Sequence, residues 1–167
     1  MKFAIFPALV FLLGGCAGYH IGPIKPKFME GVNTIAVQNF KNETLDPRIE
    51  VLVANTVIKQ IQQDGTFRIE SPERADAILE GTINNIKRRP SRSVRGNVLA
   101  TSEFTLDLEL NFKLKRRADG KALVARTIDG RTSFFVGGDV NQDERQAIPL
   151  AAQDAALRFV SQISEGW

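Results

Sequence analysis

Between residues 103 and 115 the chain reads "EFTLDLELNFKLK". Phe104, Leu106, Leu108, Leu110, Phe112 and Leu114 occupy one parity; Thr105, Asp107, Glu109, Asn111, Lys113 and Lys115 occupy the other. A helix would scatter these side chains round its circumference, whereas a strand sends alternate residues to opposite faces. The pattern therefore requires a strand with six large apolar groups on one sheet face. At 3.4 Å per residue it would span about 40 Å, long for a strand in a chain of this size. Something apolar must cover one face, and the other must meet water or a polar partner.

The flanking segments supply the neighbours and the cover. "ADAILEGTINNIKRR" (75–89) alternates through Ala77, Leu79, Gly81 and Ile83, a second strand with one packed face. Asp119-Gly120 reads as a hairpin turn that returns the chain through residues 121–135, and Gly137-Gly138 ends that strand. Upstream, "NTIAVQNFKNET" (33–44) predicts a strand around Ile35 and Val37, and "TFRIES" (66–71) a short strand or edge segment. Between them lies a helix. Asp46 suits its cap, Pro47 its first position and Gly65 its end, while Ile49, Leu52, Val53, Thr56, Val57 and Ile61 form an amphipathic stripe. Residues 141–165 predict a second helix, with Ile148, Ala151, Ala152, Ala155, Phe159 and Ile163 on one face. Pro149 either starts that helix proper or kinks its first turn. The expected fold is α+β: a two-layer sandwich, with a mixed, mainly antiparallel four-stranded sheet and two helices on one face.

The first residues are of another kind. Met1 and Lys2 give a charged start, and Phe3 to Leu13 form an apolar run broken only by Pro7. At 1.5 Å per residue that run reaches about half of a ~30 Å hydrocarbon core, so it reads as a secretory signal, not a span. Leu13-Gly14-Gly15-Cys16 resembles the lipobox of bacterial lipoproteins, which are cleaved before the cysteine and acylated on it. Two or more acyl chains anchor a protein stably where one does not. Residues 1–15 are thus expected to be a lipoprotein signal peptide and 16–31, with two prolines and three glycines, a lipidated tether. A single α+β domain over 32–167 completes the plan. Ala17, in place of the aspartate that resembles an inner-membrane retention signal, favours the outer membrane.

The residues offer little for catalysis or metal binding. The single cysteine, Cys16, and the single histidine, His20, both fall in the tether, so no nucleophile–base pair and no structural zinc set is available. No catalytic residue, no metal site and no cofactor other than covalent lipid at Cys16 is expected. What does stand out is basic. Lys87, Arg88, Arg89, Arg92 and Arg95 crowd "NIKRRPSRSVRGNVLATS" (85–102), and no acid intervenes between Glu80 and Glu103. The interior "RRPSRSVRGN" reads as a loop between two long strands. A second group, Lys115, Arg116, Arg117 and Lys121, flanks the other end of the long strand. Export removes nucleic acid as a partner. A solvated charge run, an anionic lipid surface, a phosphorylated amphiphile and an acidic partner cavity all remain open for the basic loop.

The chain is similar to the lipoprotein of the lipopolysaccharide-assembly machinery, the small subunit of the outer-membrane translocon. "GCAGYHIG", "TIAVQNFKNET", "ADAILEGTI", "SEFTLDLELNFKLK" and the closing "ISEGW" carry the resemblance, over about 150 residues in the family's order and spacing. It implies a sheet with two helices, seated as a plug in a large outer-membrane β-barrel protein. It implies lipopolysaccharide binding, help in barrel assembly, and a lipid-anchored location at the outer membrane facing the periplasm or barrel lumen. Cys16 matches the lipidated cysteine. The family's basic contact to lipopolysaccharide falls nearest to Arg88, Arg89, Arg92 and Arg95, with no single match. Pro149 departs from the family's smoother last helix. The alternative is an envelope scaffold that binds another protein and no lipopolysaccharide.

Overall fold

A computed structural model describes residues 25–94 and 97–166, with side chains from 92 to 102 outside the description. Cys16, His20 and Arg95 therefore lie outside the described residues, as does the side chain of Arg92.

A short 3-10 turn, Lys27–Met29, precedes β1 (Thr34–Val37) and β2 (Lys41–Asn42). Then come α1 (Ile49–Asp64), β3 (Arg68–Ile69), β4 (Ala77–Val94), β5 (Asn97–Arg116), β6 (Ala122–Phe135) and α2 (Val140–Ser164). One open sheet runs in the order β3-β1-β4-β5-β6, with β2 pairing β4 beyond the end of β1. The sheet is six-stranded, not four-stranded, and it does not close into a sandwich. β1 and β2 pair parallel to β4, and β3 parallel to β1; the long β4–β5–β6 meander is antiparallel. The extra strands are two-residue pairings, too short to print an alternation in the sequence.

Both helices cover one face, and the strict alternation of β5 is the reason. Leu106, Leu108, Leu110, Phe112 and Leu114 are at most 1% exposed and lie under α2, in one core with the buried side of α1. At about 1.5–3 kcal/mol per fully buried side chain, these five alone contribute on the order of 10 kcal/mol of burial. Phe112 sits at the centre, edge-on to Phe40 at 5.7 Å and stacked on Phe159 at 4.4 Å. Two glycines admit the cover. A Cβ at Gly81 would overlap the Phe40 ring at 2.4 Å, and one at Gly130 would stand 2.0 Å from the Ala151 carbonyl oxygen. Ala151, Ala152, Ala155 and Ala156, all buried, let α2 lie close upon the sheet.

Three local expectations need correction. The segment expected as a basic loop is β-ribbon: β4 runs on through Pro90 to Val94. Pro90 is tolerated because β1 and β2 leave β4 at Ile83, so its missing N–H faces an edge with no ladder bond to lose. Helix α1 starts at Ile49, not at Pro47, after Arg48 in the left-handed region at φ 67°. Asn42 holds that loop instead: its Oδ1 accepts from Thr44 N and Oγ1, and its Nδ2 donates to the Asp46 carbonyl at 2.8 Å. Helix α2 neither starts at Pro149 nor breaks there. Asp139 caps it, accepting from the Asn141 and Gln142 amides, and the exposed Pro149 is carried within. Gly65 does end α1 as expected, its N–H bonded to the Ile61 carbonyl.

At the start of the domain, Met29 is buried in the core, and Lys25 Nζ donates to the Val32 carbonyl at 2.7 Å.

Candidate functional site

The face of β4–β5–β6 opposite the helices is uncovered, and its polar side chains bond across the strands. Thr127 Oγ1 donates to Asn111 Oδ1 at 2.6 Å, and Ser91 and Thr105 hydroxyls meet at 2.6 Å. Lys87 Nζ lies 3.5 Å from Glu109. At the middle of this face sits Asp107, only 6% exposed, in register with Lys87 on one side and Arg131 on the other. Arg89 Nε donates to its Oδ2 at 2.8 Å, with a second bond from Arg89 Nη2. Arg131 Nε donates to its Oδ1 at 2.6 Å. Burial raises the Asp107 pKa, but the bonds and charges of Arg131 and Arg89 outweigh it and hold the carboxyl below its ordinary value. Arg131 is raised in turn, first by its bond to Asp107. One buried carboxylate thus orients two guanidinium groups that remain more than half exposed.

A bulge decides which cations join this face. Between Ile83 and Asn85 the register slips by one, leaving Asn84 unpaired. Before the bulge the odd residues of β4 face the helices; after it the even ones do. Lys87 and Arg89 consequently stand on the open face, whereas Arg88, opposite Leu106, points to the helix side. There its Nη1 meets Glu144 Oε2 of α2 at 2.5 Å, and its guanidinium lies 5.3 Å from the centre of the Phe104 ring. The predicted cluster is divided between two faces. Arg92 follows on β4 by its backbone.

The second basic group lies at the opposite end of the β4–β5 ladder, where Arg116 pairs with Ala77. Lys115 Nζ donates to Glu80 at 2.6 Å, and Arg116 stands 3.5 Å from Asp119. Arg117 Nε donates to the Ala75 carbonyl at 2.6 Å and its amide to the Asp76 carbonyl at 2.9 Å. Asp76 Oδ2 in turn accepts from the Asn33 amide and from the amide and hydroxyl of Thr34. These bonds, the Asn33 amide first, hold its pKa below the ordinary value despite burial. Lys121 donates its backbone amide to Asp119.

The sequence alone did not mark Arg131 or the central role of Asp107. The signal was partial: Asp107 sits on the polar parity, but its partner strand's register is set by tertiary pairing. A groove of about 770 Å³ along the outer edge of β6 is lined by Arg126, Asp129, Arg131, Asp154, Leu157 and Arg158 among others. Among the described residues, no three His, Cys, Asp or Glu side chains group to hold a metal ion, and no helix is long and apolar enough to cross a membrane.

A family model described as LptE, lipopolysaccharide-assembly, matches residues 32–163. The chain belongs to this family. Members of this family are non-catalytic, so the chain is not an enzyme, and the membership supports a place among outer-membrane lipoproteins that face the periplasm. No curated protein sequence matches it significantly. Solved structures share its fold. The PelC dodecamer from Paraburkholderia phytofirmans is 13% identical over 84% of this chain and 92% of its own, with a TM-score of 0.53. Protein XCC0632 from Xanthomonas campestris is 13% identical over 87% and 90%, at 0.56. A minor lipoprotein from Acinetobacter baumannii is 16% identical over 80% and 93%, at 0.53.

Proposed function

We propose that the chain acts as the lipid-anchored partner of a large outer-membrane β-barrel, seated partly within it, and helps deliver lipopolysaccharide to the outer leaflet. The observation that carries this reading is the long, uncovered polar face of β4–β5–β6 in a member of the LptE family. Such a face suits the polar lumen that large barrels present. Acylation of Cys16 would hold the domain at the membrane. Arg89 and Arg131 retain N–H groups beyond those bonded to Asp107, and guanidinium groups bind phosphates through paired, charge-assisted bonds. Arg92 and Arg95 follow in the sequence and add positive charge to the same stretch.

Photo-crosslinking residues placed at Asn111 or Thr127 should capture the barrel in cells, whereas one at Gln153 on the helix face should capture it less. Capture from none of these positions would sink the barrel partnership. Labelled palmitate should enter the wild type and not Cys16→Ser. A second reading, an envelope scaffold that binds no lipopolysaccharide, draws support from the ion pairing of Lys87, Arg88 and Arg89 with acids of the chain itself. A wild-type domain that binds no lipopolysaccharide would favour it, whereas unchanged binding after Arg89→Ala and Arg131→Ala together would sink the role given to those two arginines.

A further inference from the structure

We infer that Arg88 is a positioning residue, which locks the far half of the β4–β5 ribbon to helix α2 instead of touching a ligand. The ribbon needs such a lock. β6 ends at Phe135, opposite Glu103, so β4 and β5 continue past it as two strands with no third neighbour on that side among the described residues. A two-stranded ribbon is at best marginally stable by itself. Arg88 lies just before that departure and is turned toward the helices by the bulge at Asn84. Its guanidinium spans two elements: Nη1 on Glu144 of α2, and its plane near Phe104, which itself stacks on Phe134 of β6 at 5.8 Å. The Arg88 side chain is 35% exposed and that of Glu144 21%, so the pair is screened less than a surface pair. Arg89, one residue on, faces the other way and bonds Asp107 on the open face. The inference rests on the function proposed above only for what the ribbon is used for.

Hydrogen exchange on the full-length protein in detergent reads the lock directly, in the amides of residues 97–106. Arg88→Glu is expected to speed exchange there by about tenfold, with the amides of β1 unchanged, because local opening is set by local contacts. Adding Glu144→Arg to Arg88→Glu should restore protection to within about twofold of the wild type, since the pair is rebuilt with its charges exchanged. The order is the reverse of what a ligand contact gives: a lost phosphate contact at position 88 is not returned by an arginine on α2. The inference falls if the double variant exchanges as fast as Arg88→Glu alone, or if Arg88→Glu leaves the ribbon's exchange unchanged. No lipopolysaccharide enters the measurement, so either result leaves the proposed function to be judged by its own crosslinking test.

Discussion

The two ends of the β4–β5 ladder carry similar runs of positive charge, and the fold uses them differently. At the end near Asp119-Gly120, Lys115 pairs with Glu80 of β4, and Arg117 donates to the Ala75 and Asp76 carbonyls beside the Asp76 clamp. Toward the far end, Arg89 is held by Asp107 on an open face. What separates them is the company each keeps. Arginine beside buried backbone becomes part of the frame, while arginine anchored on one side by a single carboxylate keeps donors for something else.

The sharpest way to break this contrast is at the near end. Asp76→Ala strands the Asn33 and Thr34 amides, and is expected to cost about 3 kcal/mol, at ~1–3 kcal/mol per unmet group. For a domain of this size that is roughly 9 °C in Tm, measurable by calorimetry. Lipopolysaccharide affinity of the folded fraction should not change; a parallel loss of affinity would erase the distinction between the two ends.

Acid offers the next test. The Asp76 and Asp107 pKa values are lowered in the folded chain, so their stabilisation is complete above the unfolded value of about 3.9 and is lost as pH falls through the folded values. The wild type should therefore lose Tm steeply below about pH 4, and Asp76→Asn should flatten that slope.

At the far end, Arg89→Ala with Arg131→Ala should weaken lipopolysaccharide binding by about tenfold, as expected for a pair of charge-assisted contacts. Its Tm should fall as well, because Asp107, only 6% exposed, loses both guanidinium partners, so binding is read on the folded fraction. The smallest effect belongs to Arg116→Ala: its partner Asp119 is half exposed at 3.5 Å, and neither Tm nor binding should move.

How much of this could be read from the chain follows from the length of each pattern. The β5 alternation runs through thirteen residues, and it correctly located the strand and its covered face. The Asp119-Gly120 turn and the α2 stripe from Ile148 to Ile163 were equally legible, because their chemistry is local. β3 reads as a short strand or edge segment within 66–71, but β2 does not stand out as a strand of its own, since two residues carry no period and parallel pairing depends on partners far along the chain. Nothing at Asn84 announces a bulge, so the sequence could not separate Arg88 from Arg89. Those neighbours looked interchangeable and are not. Arg131 went unnoticed for a related reason: its meeting with Asp107 is fixed by a register across 24 residues.

The bulge at Asn84 carries one more implication, for how chains of this design can vary in length. It takes up a single surplus residue in place and returns the strand to phase with its partner. Loss of that codon would leave every rung on either side paired as before, with only a change of local twist. The ladder thus has a built-in joint at which the gene can drift without dragging the two ends out of alignment.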